Sequence, residues 1–150
     1  MAIDMSGEER ITASVEKVWA ALNDPEILKA CIPGCESLEK RDDGGFTAVV
    51  SLKIGPIKAK FNGEVELKNL KPPHSYTIQG EGKGGIAGFA KGGADVTLSE
   101  ESPTVTILRY AAKADVGGKI AQLGSRLIES TSKKLAGQFF STFNEKVSAA

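Results

Sequence analysis

Apolar and polar residues alternate one by one through the middle of the chain. Ile57, Ala59, Phe61, Val65 and Leu67 share one parity, and lysine, asparagine or glutamate stands between them. A period of two predicts a β-strand with one buried face, here over residues 57–70. Similar but less regular patterns predict strands at residues 5–11, 46–54, 76–83, 88–99 and 104–116.

Three segments change to a helical period. Ser14 precedes residues 15–22, and Asp24-Pro25-Glu26 opens a second short segment; both are signals of a helix N-terminus. Over residues 119–147 apolar residues recur at steps of three and four, which predicts one long amphipathic helix. The order is one strand, two short helices, about six strands and a long helix. Short links between consecutive strands predict an antiparallel meander and an α+β fold, with the long helix on one face.

The segment GEGKGGIAGFAKGGA, residues 80–94, contains seven glycines. Gly80, Gly82 and Gly85 match G-x-G-x-x-G, the phosphate-binding pattern of dinucleotide sites. That mechanism needs a helix immediately after the glycines, and residues 88–99 have strand period instead. The glycines therefore indicate a hairpin and exclude a dinucleotide site.

Small residues in this region fall on the face predicted to point inward. Protein interiors are close-packed, so the space they leave must be filled, either by the long helix or by a ligand in a cavity. The sequence favours the cavity, and both can hold along different parts of the helix. The predicted ligand-binding residues are Leu52, Ile54, Phe61, Ile78, Gly80, Gly82, Ala90, Gly92, Tyr110, Ala112, Leu123 and Leu127.

The turns divide between two ends of the predicted sheet. One end, which we call the glycine-rich end, collects the turns at residues 55–56, 84–88 and 117–118 and the two short helices. The other, the charged end, collects the turns at residues 42–43, 72–74 and 100–101. Apolar residues near the tip of a glycine loop indicate an opening or a docking surface. We predict a cavity mouth, or a membrane or partner contact, at Gly55, Pro56, Ile86, Phe89, Gly117 and Gly118.

Composition and charge narrow the possible functions. The 150 residues have a formal net charge of zero, which gives a nucleic-acid partner no electrostatic support. No secretory signal and no membrane-spanning apolar run is evident, so we expect a cytoplasmic protein that can work at the inner face of the membrane. His74 stands alone, and Cys31 and Cys35 lack a second ligand pair, so we expect no metal site, cofactor or catalytic residue. Glu9 and Tyr110 are the inward polar groups that an enzyme could use.

Several motifs together resemble one known family. CIPGC at residues 31–35, Gly55-Pro56, GFAKG at residues 88–92 and Gly117-Gly118 carry the resemblance, which extends over nearly the whole chain. The chain resembles the family of the carbon monoxide dehydrogenase G subunit, which belongs to the START-like helix-grip (SRPBCC) superfamily. The resemblance implies one domain over residues 1–150, with a seven-stranded antiparallel sheet wrapped around the C-terminal helix and a hydrophobic cavity between them.

The resemblance also implies a function. It predicts a non-enzymatic carrier of a lipid-like ligand such as an isoprenoid quinone, serving a membrane-associated molybdenum hydroxylase of the carbon monoxide dehydrogenase type. One alternative is an adaptor that recruits such an enzyme to the membrane without binding a small ligand. Another is a helix-grip enzyme, a cyclase or hydrolase, which would depend on Glu9 or Tyr110.

Overall fold

The computed structural model describes residues 1–148. Seven strands form one antiparallel sheet in the order β1-β7-β6-β5-β4-β3-β2. The strands are β1 (Ala2–Ile11), β2 (Cys35–Lys40), β3 (Phe46–Ile54), β4 (Ile57–Lys71), β5 (Ser75–Lys83), β6 (Phe89–Ser102) and β7 (Val105–Gly117). The helices are α1 (Val15–Leu22), α2 (Pro25–Cys31) and α3 (Ser125–Ser148). The predicted α+β helix-grip architecture is confirmed.

The two short helices begin where their capping residues predict. The Ser14 hydroxyl accepts a hydrogen bond from the Lys17 amide at 3.3 Å, and the Asp24 carboxylate accepts one from the Glu26 amide at 2.9 Å. Pro25 occupies the first turn of α2, where its missing N–H costs nothing. These caps satisfy amides that have no partner within the helix, so both starts follow from local sequence.

The predicted end of the sheet is wrong for the start of α1. β1 pairs with β7 and not with β2, and Ile11 at its end lies opposite Thr106, beside the charged turn that joins β6 to β7. Because β1 runs antiparallel to β7, the chain enters α1 at the charged end of the sheet. The prediction failed because it treated β1 as the neighbour of the next strand along the chain.

The long helix starts later than its apolar period predicts. Residues Lys119–Leu123 form a 3₁₀ turn, and Gly124 follows with a φ of 94°, a left-handed conformation that interrupts the helix. α3 begins only at Ser125. Strand β2 has no range predicted from the sequence, because Leu38 is the one large apolar residue in its six positions.

Two groups of buried side chains fill the space between the sheet and the helices. The first core cluster joins α1, α2 and the end of α3 to β5, β6 and β7, and includes Ile11, Val18, Leu98, Leu108, Phe143 and Val147. The second core cluster lies near the glycine-containing turns and includes Ile3, Ile54, Phe61, Val116, Ile120 and Ile128. Burial of these apolar side chains is the main favourable term holding α3 on the sheet.

Candidate functional site

An apolar cavity of about 380 Å³ lies between the sheet and the helices. Its wall includes the inward faces of β3, β4 and β5, and the helices add side chains from α1, α2 and α3. Glu81 is the one charged residue of this lining in the described chain. The lining consists of Leu22, Leu28, Ile32, Leu38, Phe46, Ala48, Val50, Gly63, Val65, Leu67, Tyr76, Ile78, Gly80, Glu81, Gly82, Val96, Leu108, Phe139 and Phe140.

Glycines on the inner face of β4 and β5 leave part of this volume open. A Cβ added at Gly82 would meet no atom within 4 Å, and one added at Gly63 would come no closer than 3.8 Å to its neighbours. Gly63 lies directly opposite Gly82 in the strand register. The paired absence of side chains makes room at this point of the sheet, as the sequence predicts for glycines of this segment.

Other glycines of the segment at residues 80–94 have a different structural role. A Cβ at Gly92 would collide with the Lys113 carbonyl oxygen of β7, and one at Gly93 would collide with the Ile78 carbonyl oxygen of β5. These two glycines allow close approach of neighbouring strands, a usual role of glycine inside a sheet. Gly92 borders a groove on the polar outer face, as does Ala112.

The structure brings three of the predicted ligand-binding residues together at the cavity: Ile78, Gly80 and Gly82. Most of the others pack in or against the second core cluster, namely Leu52, Ile54, Phe61, Ala90 and Leu123. Leu127 lies against the Gly55 turn. The Tyr110 ring stacks on Phe140 at 5.2 Å between centroids and covers Gly7. Ligand contact at all of these positions stays a prediction.

Much of the lining is absent from the predicted set, although the sequence holds a signal for it. Phe46, Ala48 and Val50 alternate along β3 with the same inward parity as Leu52 and Ile54. Val65 likewise continues the inward parity of β4. The alternation of inward and outward residues does not predict where along each strand the cavity lies. That position depends on where α3 and α2 place their side chains.

Tyr76 brings the one hydroxyl group among the side chains of the lining. The residue is 5% exposed, and burial raises the pKa of its phenol well above the ordinary tyrosine value. Its hydroxyl forms no hydrogen bond within residues 1–148, and because no buried side-chain oxygen there lacks a partner, the hydroxyl oxygen lies at accessible surface. Trp19 meets the Tyr76 ring edge-on at 5.3 Å between centroids.

The predicted mouth residues lie at the glycine-rich end, away from the cavity lining. Gly55, with a φ of 58°, lets the turn that it forms with Pro56 approach Leu127, and Gly88, Gly117 and Gly118 pack backbone against backbone. The second core cluster fills the interior beside these turns. Ile86 is 88% exposed, and Phe89 is 38% exposed where it lies over Gly117. Their role as a mouth or contact surface stays a prediction.

Cys31, Glu9 and Tyr110, the reactive or titratable groups that the sequence singles out, lie outside the cavity lining. No group of three or more His, Cys, Asp or Glu side chains within residues 1–148 could hold a metal ion. Burial raises the pKa of the Cys31 thiol, and Lys146 lowers it by less. Glu9 and Tyr110 lie near one another, where burial and the Glu9 charge raise the pKa of Tyr110, but neither lines the cavity. No helix in the described part of the chain has the length and apolar character needed to cross a membrane.

Solved structures share this architecture. A conserved protein from Geobacillus kaustophilus is 32% identical, with a TM-score of 0.92 over 98% of this chain and 96% of that one. A START superfamily protein from Mycobacterium smegmatis (14% identity, TM-score 0.71, 96% of each chain) shares the fold. So does the Zhui aromatase/cyclase from Streptomyces sp. R1128 (10% identity, TM-score 0.70, 98% of this chain and 94% of that one).

No curated protein matches this sequence. The family described as CoxG, the G subunit of carbon monoxide dehydrogenase, matches residues 7–148, nearly the whole chain. The chain belongs to the carbon monoxide dehydrogenase CoxG family.

Proposed function

We propose that this protein is a non-enzymatic carrier of a lipid-like molecule, an isoprenoid quinone, for a membrane-associated molybdenum hydroxylase of the carbon monoxide dehydrogenase type. The observation that carries the proposal is the cavity of about 380 Å³ with its almost wholly apolar lining. Apolar surface favours an apolar guest, because both are removed from water when the guest binds. The family name points to the associated enzyme.

The size of the cavity fits a ring with a short stretch of tail. Small-molecule sites commonly measure about 300–1,000 Å³, so the volume lies toward the lower limit. At about 30 Å³ for each water-sized volume, it has room for roughly a dozen such units. A longer isoprenoid tail would extend out of the protein, as a molecule passed between a membrane and an enzyme could do.

Tyr76 supports a ligand that carries a hydrogen-bond acceptor. Its hydroxyl has no partner within the described residues, and a quinone carbonyl in the cavity could accept a hydrogen bond from it. A hydrogen bond from this donor would favour a quinone over an alkane of similar size, because the alkane has no acceptor. The enzyme alternative receives less support, because Glu9 and Tyr110 lie outside the lining.

The sole tryptophan provides a direct binding assay. Trp19 touches the Tyr76 ring, so a short-tailed ubiquinone analogue in the cavity should quench its fluorescence in a saturable way. Gly82→Leu places a side chain in the open volume and should weaken binding at least about tenfold, given the usual cost of overpacking. Tyr76→Phe should weaken it about 2- to 10-fold, the range for one hydrogen bond.

Lys83→Leu is the matched control, because it adds the same side chain at the neighbouring exposed position. Circular dichroism and melting curves would show that each variant is folded. Quenching that is absent in the wild type, or unchanged in Gly82→Leu, would contradict the cavity as the ligand site.

A further inference from the structure

A second depression, of about 390 Å³, lies between the free edge of β3 and α3. We call it the β3–α3 groove; its lining is Pro33, Gly34, Ser51, Leu52, Lys53, Gly55, Thr131, Lys134, Leu135 and Gln138. The groove and the cavity share two faces. Leu52 of the groove and Val50 of the cavity lie on the same face of β3, and Leu135 of the groove and Phe139 of the cavity lie one turn apart on α3.

The groove is rich in hydrogen-bond donors. Its lining includes two lysines, Lys53 and Lys134, together with Thr131 and Gln138, whose side chains carry a hydroxyl and an amide. No carboxylate side chain belongs to its described lining. Neither lysine takes part in an ion pair within residues 1–148. The carboxylate of nearby Glu36 is already bound by the Ser51 hydroxyl and by Lys60 at 3.4 Å.

The strand edge adds a backbone donor. β2 pairs with β3 only as far as Cys35 opposite Val50, and the Ser51 amide then donates to the Gly34 carbonyl at 2.9 Å. Along a strand, alternate amides point to the same side, so the Lys53 amide faces the groove beyond the end of β2. Unpaired amides on a strand edge are available to an acceptor from outside the fold.

We propose that the β3–α3 groove binds the oxyanion head group, carboxylate or phosphate, of an amphiphile whose alkyl chain passes into the cavity. Two cations, neutral donors and an amide complement an anion, and Leu52 and Leu135 offer apolar surface for the start of the chain. The proposal rests on the proposed function in one respect, because the alkyl chain uses the same cavity. It adds a ligand class with a charged head, which a neutral quinone lacks.

The test compares ligands that share a twelve-carbon chain: dodecanoate, dodecyl phosphate and dodecanol, each titrated by calorimetry. The two anions should bind about 5- to 10-fold more tightly than the alcohol, as partly exposed charge-assisted hydrogen bonds allow. The double variant Lys53→Gln, Lys134→Gln should lose that advantage and keep its affinity for dodecanol. Raising the ionic strength from about 0.05 to about 0.5 M should reduce the advantage in the wild type.

Lys58→Gln with Lys133→Gln is the matched control. It removes the same charge from β4, opposite Lys53, and from the residue beside Lys134, and neither position lines the groove. Equal affinity for alcohol and anions, or equal losses in both double variants, would overturn the proposal. So would displacement of dodecanoate by inorganic phosphate as effectively as by dodecyl phosphate. If none of the three ligands binds, the cavity proposal fails, and this proposal fails with it.

Discussion

At the scale of single residues, Tyr76 links stability to the candidate site. Its ring is part of the first core cluster and of the cavity lining, and its hydroxyl is held where ionisation is unfavourable. Burial raises the pKa of the phenol above its ordinary value of 10.0, so the folded state prefers the neutral form. A raised pKa gives stability that is complete below the ordinary value and is lost as the pH rises toward the folded one.

Tyr76→Phe should therefore reduce the loss of unfolding free energy at alkaline pH. We expect the wild-type free energy of unfolding to fall above about pH 10, because the unfolded phenolate becomes available there while the folded phenol stays neutral. Phenylalanine has no proton to lose, so the variant should fall less steeply over the same range. Urea denaturation at several pH values measures this, and parallel curves for the two proteins would contradict it.

The alternation of residues along a strand predicts which side chains face the interior. It correctly groups Ile78, Gly80 and Gly82, because every second residue of a strand shares a face. It cannot separate Gly82, with open space before it, from Gly92, whose Cβ would strike β7. That difference is set by the distance between neighbouring strands, which depends on the whole sheet.

At the scale of elements, the sheet, the capped short helices and most strand bounds follow from local signals. Ser14 and Asp24 place the starts of α1 and α2, and period-two patterns place β3 to β7. The start of α3 does not follow, because the apolar period continues through Ile120 and Leu123 while Gly124 breaks the helix. The sequence alone does not tell whether a glycine interrupts a helix or is tolerated inside it, because the difference lies in the backbone conformation.

We expect Gly88→Ala and Gly137→Ala to change stability in opposite directions. Gly88 has a φ of 119°, and its new Cβ would collide with the Gly117 carbonyl, so a loss of about 1–3 kcal/mol is expected. Gly137 lies within α3, and its new Cβ would meet nothing within 4 Å. Alanine there should add about 0.5–1 kcal/mol. Chemical denaturation measures both, and equal shifts would contradict the assignment.

At the scale of the whole molecule, a net charge of zero conceals two unlike ends. The charged end balances itself through the Arg10–Glu101 and Arg41–Asp43 ion pairs. At the glycine-rich end, Lys58, Lys119 and Arg126 join no ion pair within residues 1–148. The exposed Ile86 lies at the tip of the same end, so apolar and cationic groups occur together there. This combination supports the proposed contact with an anionic membrane surface.

Ile86→Glu should weaken vesicle binding, and Leu70→Glu should not. The two side chains are 88% and 52% exposed, but Leu70 lies at the other end of the sheet. Removing one inserted isoleucine should cost at least about tenfold in partition to vesicles that contain phosphatidylglycerol. Co-sedimentation measures this, with phosphatidylcholine vesicles as the neutral comparison. Equal effects of the two substitutions would contradict a contact at the glycine-rich end.

The pairing of β1 with β7 has a consequence for the order of folding. Gly7 lies opposite Tyr110, and the Met1 amino group reaches the Val116 carbonyl at 3.0 Å. The first strand to leave the ribosome therefore meets its neighbour β7 after nearly the whole sheet has been synthesised. Closing so long a loop is entropically costly, and folds dominated by distant pairings form in about milliseconds to seconds. Until β7 is synthesised, β1 has no strand partner in the sheet, so we expect β1 to join the fold only after β7 has been made.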